Sequence, residues 1–456
     1  MEHACMRSWR PRGASEMQGL PVPAIGSSGS SWVVEIDNMI DFTELPQEQL
    51  PQQRTGHSIY RVPEYIKDMT NRDAYRPKLI SLGPFHHGDS MLLPMEAHKR
   101  RAVVQLVKRS GKPLSEFIAA VEEISDQLHD AYENLDKMAW YQKRFVELMV
   151  TDGCFFLEVM RMFSLEGNVE EDYGSNDPIF SKHGYLYLKD DIISDVLLIE
   201  NQLPLLLLRK LMFLMPDPNT FQINDLAYII MGNSPLKSAL PVDDHQVLHP
   251  LDILQKSSRG KRQYYQESTL LETKMHPASE LHEAGIHFKV SDAHGFAAVS
   301  FKSGVLSIPQ ILFFDDTERV LLNLMAFEKL HPGAGNDVTA FVFFMDILIN
   351  THKDVALLRS KGIIDHGLGS DEEVANLINK TLSKGAVLSP DNSLNNVLED
   401  MSAHCKKPWN KWRATFIHTY FINPWVFISL VAAFILLLVA VMQTVYTAMS
   451  FYQNKS

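Results

Sequence analysis

Two short polar clusters are the chain's strongest candidates for chemistry. Gly83-Pro84-Phe85-His86-His87-Gly88-Asp89 places adjacent histidines in a turn-rich segment, and neighbouring imidazoles can ligate a metal or move protons. No second ligand set follows at a recognised spacing, so the cluster reads as a structural turn ahead of a metal site. Glu200-Asn201-Gln202, followed by Leu203 and Pro204, interrupts an apolar run from Asp190 to Met215. A polar triplet in such a run has to find internal partners, so it is expected to organise a core hydrogen-bond network. Brought together, Pro84–Asp89 and Glu200–Gln202 would line the pocket of a membrane-bound enzyme.

Other candidates are weaker. His282-Glu283-Ala284-Gly285-Ile286-His287 is one residue longer than a zincin motif. The second imidazole is therefore turned about 140° away from the first on a helix, and Gly285 sits between them. Asp243-Asp244-His245 with His249, and Asp315-Asp316, offer hard-metal ligand types but suit solvated loops and turns as well. Cys154 lies in the apolar helical pattern Asp152-Gly153-Cys154-Phe155, where a buried, inert thiol is the default. There is no GxSxG elbow, Walker A loop, GxGxxG after a strand or kinase signature. No metal, no cofactor and no catalytic activity are expected.

The bulk properties narrow the partners. A net charge of −12 leaves no sequence-wide basic field, so nucleic acid is not an expected partner. Three cysteines form no disulfide framework and suit a reducing compartment. Residues 1–53 lack the apolar stretch of a secretory signal and read as a flexible tail.

A membrane is the partner the sequence states most directly. Trp425 to Met442 is an uncharged run in which twelve of eighteen residues are Leu, Ile, Val or Phe, including Phe427, Leu430, Phe434, Leu437 and Val441. Those residues favour insertion by about 4 to 7 kcal/mol, and eighteen residues of helix measure about 27 Å. A transmembrane helix is expected over 424–449, with a short tail at 450–456. Ahead of it, Lys406, Lys407, Lys411 and Arg413 are basic, and no acidic residue occurs between Ser402 and Pro424. The positive-inside rule then keeps the body cytosolic, as in a tail-anchored protein of the plasma membrane or an endomembrane. Trp409, Trp412, Phe416 and Tyr420 recur at helical spacing, so 405–423 reads as a juxtamembrane helix, either interfacial or core-facing. An Asn-Lys-Thr sequon at Asn379 would matter only in the opposite orientation.

The body, 54–404, is expected to be α+β and mainly α. Helices are predicted over Pro94–Arg109, Ala139–Phe163, Thr317–Leu330, Asn336–Arg359 and Asp371–Leu382. The Asp190–Met215 run is expected to be a buried helix broken at Pro204. From Pro113, residues Leu114, Phe117, Val121, Ile124, Leu128, Ala131 and Leu135 form a stripe three heptads long. It suits either a self-association seam or a helix packed in its own bundle. A polar loop or insertion is predicted at 235–266, and a small antiparallel sheet at 285–314.

Several segments, taken in order, resemble the plant domain-of-unknown-function 247 family. They include Ile59-Tyr60-Arg61-Val62-Pro63, Tyr75-Arg76-Pro77, Ile80 to Gly88, Met95-Glu96-Ala97-His98-Lys99, Asp152-Gly153-Cys154-Phe155 and Ile199 to Pro204. Ala278 to Phe288, Asn323 to Glu328, Phe344-Met345-Asp346, Gly369 to Val374 and Tyr420 to Trp425 complete the set. The resemblance implies a plant, single-pass membrane protein with no established enzymatic activity and no catalytic residues to carry over. Some grass members are associated with self-incompatibility recognition between pollen and stigma. The functional expectation is a membrane-anchored recognition or signalling protein that acts through contacts with a protein partner.

Overall fold

The computed structural model describes residues 57–136, 140, 142–215, 223–232, 235, 247–259, 276–293, 295–386, 393–408 and 424–453. The expected tail at 1–53 and the aromatic stretch 409–423 lie outside these residues. In chain order the first helices are α1 (Glu64–Met69), α2 (Pro94–Ser110), α3 (Leu114–Glu123), α4 (Ser125–Asp130), α5 (Gln142–Ser164) and α6 (Glu170–Tyr173). Then come α7 (Lys182–Val196), α8 (Leu205–Met212), α9 (Ile223–Met231), α10 (Pro250–Arg259) and α11 (Ala278–Glu283). Beyond the strands lie α12 (Thr317–Leu330), α13 (Asp337–Leu348), α14 (His352–Ser360), α15 (Asp371–Asn376), α16 (Ser393–Lys406) and α17 (Pro424–Gln453). The chain is α+β and mainly α, as the patterning predicts.

Local sequence explains the boundaries. Pro94 opens α2, where its missing N–H costs nothing, and Gly111 closes the helix at a φ of 68°. Met95, Lys99, Ala102 and Leu106 form its buried face, at helical spacing, and this face packs on α5. Ser370 caps α15 by accepting the Glu373 N–H at 3.2 Å.

The helical stripe from Leu114 departs from a single helix, being interrupted at Ile124 between α3 and α4. Phe117, Val121, Ile124, Leu128 and Ala131 are all buried in the protein's own core, so that seam is already occupied. The run from Asp190 breaks as expected, and more widely. Helix α7 stops at Val196, Ile199–Asn201 makes one tight turn, and Pro204 immediately precedes α8. Asn336–Arg359 is two helices rather than one, because Thr351 starts α14 with its N–H on Asp354 Oδ2 at 2.9 Å.

The sheet is smaller and differently wired from the one expected. β1 (His287–Val290) pairs in parallel with β3 (Val305–Ile308), and β2 (Ser300–Lys302) pairs antiparallel with β3, so the sheet is mixed rather than antiparallel. The β2–β3 turn needs positive φ at both central residues, which Ser303 (51°) and Gly304 (83°) adopt. The β1 strand reaches β3 only after a connection through β2, and that crossover makes it parallel. A second pair joins β4 (Ile311–Phe313) in parallel to β5 (Ile364–His366). The predicted polar loop also contains structure: Leu251, Ile253 and Leu254 are fully buried on α10, whose four-residue apolar spacing was too short to stand out.

Helix α17 runs from Pro424 to Gln453. Within it, Phe427–Thr447 has a mean hydropathy of 2.6 and none of its residues is buried against the body. It is long and apolar enough to cross a membrane.

Candidate functional site

An irregular segment, Lys78–Gly83, runs from an exposed lysine into the core, and its main-chain donors have no strand or helix to join. Buried N–H groups must be partnered, and here side chains from distant elements do it. Asp195, at the end of α7, accepts Leu79 N–H and Ile80 N–H on Oδ2 at 2.7 and 2.9 Å. Its Oδ1 accepts Lys78 N–H at 2.9 Å and the Arg319 guanidinium at 2.8 Å. Asn201 Oδ1 accepts Leu82 N–H at 2.6 Å, and its amide donates to Ile80 O and Asp195 O. Asp152 Oδ2 accepts Gly83 N–H at 2.8 Å. Three carboxylate or amide side chains thus stand in for a neighbouring strand.

The predicted motifs converge on this segment. Glu200 Oε1 accepts Val62 N–H at 2.7 Å and pairs with Lys67 Nζ at 2.8 Å, while Oε2 lies 3.3 Å from His86 Nε2. At that distance His86 Nε2 makes no aligned hydrogen bond. Burial opposes ionisation of Glu200, but His86, Lys67 and the Val62 N–H outweigh it and hold the carboxyl below the usual glutamate range. Gln202 donates to Val196 O and Leu198 O and accepts Leu251 N–H at 2.9 Å, which ties α10 to the break after α7. These contacts form the network expected of the triplet.

Gly83 and Gly153 are required by close approach. Gly83 has a φ of 72°, and a Cβ there would stand 2.7 Å from Tyr132 Oη. The same hydroxyl donates to Gln202 O at 3.0 Å. At Gly153 a Cβ would run into Leu211 Cδ1, so the glycine lets α5 and α8 touch. Pro84 is buried; Phe85 meets Tyr132 edge-on at 5.6 Å with the Arg61 guanidinium 4.3 Å over its ring. His87 rests against Trp140 at 5.6 Å, and Gly88 turns the chain at the surface with a φ of 86°. Pro204 sits at the entrance of α8, where Leu205 N–H reaches Leu248 O.

Lys99, Asp195, Arg319 and Asn323 are central here and do not stand out as site residues in the sequence. Lys99 Nζ meets Asp152 at 2.7 Å, Glu96 at 2.7 Å and Ser81 O at 2.5 Å with no solvent exposure. Burial works against its charge, yet the carboxylates of Asp152 and Glu96 hold its pKa above the usual lysine value. Asn323 accepts Ile199 N–H and donates to Ala74 O and Arg319 O. The detectable signal was charge inside apolar helical pattern, at Asp195 and Arg319 above all.

The remaining candidates are accounted for individually. His249 is fully buried; Nδ1 accepts Asp252 N–H and Nε2 reaches Ser58 O at 2.9 Å, so neither nitrogen is turned to a ligand. Asp243, Asp244 and His245 lie outside the described residues. His282 is held to Ile286 O, and His287 starts an exposed strand end. Cys154 is buried, and burial beside Glu158 pushes its thiol up. Asp315 and Asp316 line a cavity of about 610 Å³ with Asp73, Asp190, Asp191 and Lys78; none of residues 84–89 or 200–202 lines it. Among the described residues no group of three His, Cys, Asp or Glu could hold a metal ion.

Of the membrane set, Phe427, Leu430, Phe434, Leu437 and Val441 lie along the apolar stretch of α17, and Trp425 is in its first turn. Lys406 ends α16 and Lys407 follows it, both exposed. Trp409, Lys411, Trp412, Arg413, Phe416 and Tyr420 lie outside the described residues.

These features define a helical body locked by one buried polar lattice and followed by an apolar C-terminal helix. The chain belongs to the plant DUF247 family, described as "Plant protein of unknown function", whose model matches residues 59–439. The matched span begins at Ile59, the first core residue among the described ones, and includes much of α17. The chain is similar to UPF0481 protein At3g47200 of Arabidopsis thaliana, 31% identical over 428 residues and 87% of each chain. It is also similar to Putative UPF0481 protein At3g02645 of the same plant, 23% identical across 90% of this chain and 93% of that one. No solved structure matches the chain.

Proposed function

We propose that this protein is a non-catalytic, membrane-anchored recognition protein whose body is held on the cytosolic side and acts through contacts with another protein. The observation that carries this reading is the use made of the motifs. The polar atoms of Glu200, Asn201, Gln202, Asp152 and Asp195 are directed at main-chain groups and buried lysine or arginine partners. Residues committed in this way maintain shape, and shape is what a recognition surface needs. The exposed apolar helix supports the anchor, and the basic stretch before it supports the orientation.

Protease protection of the full chain in native plant membranes, combined with proximity labelling from its N-terminus, tests both parts. The expected result is a protease-accessible body, a protected C-terminal fragment and a reproducible set of cytosol-facing neighbours. A protected body, or labelling indistinguishable from a free cytosolic control, would overturn the proposal.

A further inference from the structure

The end of the mixed sheet and the end of α16 meet at one place. Lys302 closes β2, Ser303-Gly304 makes the turn, and His287 N–H joins Gly304 O at 2.8 Å. This edge is fastened to α16 by His404, whose ring meets Phe301 at 5.5 Å in an edge-on contact. A Cβ on Gly304 would stand 3.1 Å from His404 Cε1, so the turn lies directly on the helix. Two and three residues later α16 gives way to Lys406 and Lys407, both exposed, as Lys302 is.

We propose that Lys302, Lys406 and Lys407 form one basic face that rests on the anionic headgroups of the membrane carrying the anchor. This inference rests on the anchored reading above and adds to it the side of the body that faces the lipid. Chain continuity permits this placement: Pro424 follows Lys407 by 17 residues, a connector that reaches about 60 Å at full extension. Charge selects it. The whole chain carries −12, which an anionic leaflet repels, whereas no acidic residue occurs from Ser402 to Pro424. The nearest acids on α16, Glu399 and Asp400, precede Lys406 by more than a turn. Lys289, higher on β1, is paired with Asp292 at 3.0 Å and is not needed. A lysine beside such a leaflet favours docking by about five-fold.

The test uses the full chain in nanodiscs of phosphatidylcholine alone or with one third phosphatidylserine. Amide exchange at Ser303 and Gly304 is the readout. Exchange about ten-fold slower with phosphatidylserine, returning to the phosphatidylcholine rate in Lys302→Glu/Lys406→Glu/Lys407→Glu and in high salt, is expected. Equal exchange in the two lipids, with the protein resisting alkaline extraction, would overturn the docking face and leave the anchor standing. Release of the protein by alkaline extraction would overturn both.

Discussion

Lys99 and Asp152 face each other at 2.7 Å with neither side chain exposed to solvent. One comes from the buried face of α2, the other from the middle of α5, and Asp152 also holds the Gly83 N–H. Removing one partner strands the other charge in the core, which costs about 3 to 5 kcal/mol, whereas removing both costs far less. Lys99→Met is therefore expected to destabilise strongly, and Lys99→Met/Asp152→Asn to recover at least about 2 kcal/mol of that loss. Chemical denaturation of the four species in detergent measures the cycle.

Asp195 serves three consecutive main-chain N–H groups and Arg319. Asp195→Ala leaves those donors without an acceptor at a penalty of about 1 to 3 kcal/mol each, cushioned by water entry and relaxation. We expect a net loss near 4 kcal/mol and steady-state abundance reduced several-fold in cells. Asp191→Ala, an exposed change on the same helix, should leave abundance unchanged in the same immunoblot.

Gly83→Ala combines a positive φ with a collision at Tyr132 Oη, and a loss of about 2 to 4 kcal/mol is expected. Tyr132→Phe removes the colliding oxygen but leaves Tyr132 Cε1 and Gln202 O within 3.3 Å. In that background Gly83→Ala should cost about 1 kcal/mol less. Thermal shift of the double variant against the two single ones reads the coupling, and strict additivity would contradict the contact.

His249 gives the protein an acid sensitivity of known sign. Burial, the largest influence, pushes its pKa down to about 4, so the folded state keeps it neutral. The unfolded chain binds the proton near pH 6.5 and the folded protein does not. Stability from this residue is therefore complete above about pH 6.5 and is lost as pH falls toward 4, by up to about 3 kcal/mol. His331, which burial also holds down, acts in the same direction. Glu328, raised by burial, opposes them. Melting temperatures between pH 7 and 5 should fall, and His249→Gln should flatten the slope.

Leu437 lies near the middle of Phe427–Thr447. Arginine at the centre of a span disfavours insertion by about 2.5 to 3.5 kcal/mol. Leu437→Arg should move a large fraction of the protein into the alkali-extractable pool, whereas Leu437→Ile should not.

Much of this architecture was legible in the sequence, because helix periodicity and the apolar run report directly on burial. The range Thr317–Leu330 was read to the residue, since its side chains are buried almost all round and its flanks are turn-forming. The Glu200-Asn201-Gln202 network was legible too, because polar residues in an apolar run must be satisfied internally. Its partners were not. Spacing along the chain carries no information that Asp195 serves Lys78 to Ile80 or that Lys99 meets Asp152, for these pairs are made only by packing. The parallel pairing of β1 with β3 was hidden for the same reason: adjacent short strands suggest hairpins, and only tertiary context reverses them.

The side-chain surrogate strand beneath Lys78–Gly83 has a consequence for how the protein is made. Its members lie at 152, 195 and 201, and Arg319 completes Asp195, so Lys78–Gly83 cannot close its hydrogen bonds while only the chain up to it has left the ribosome. Ile59 pairs with Tyr132, and Ser58 O waits for His249. Such long loop closures make folding late and cooperative. A chain truncated anywhere before α12 therefore leaves Asp195 without Arg319 and the lattice open, so the body closes only after most of its own length has been made.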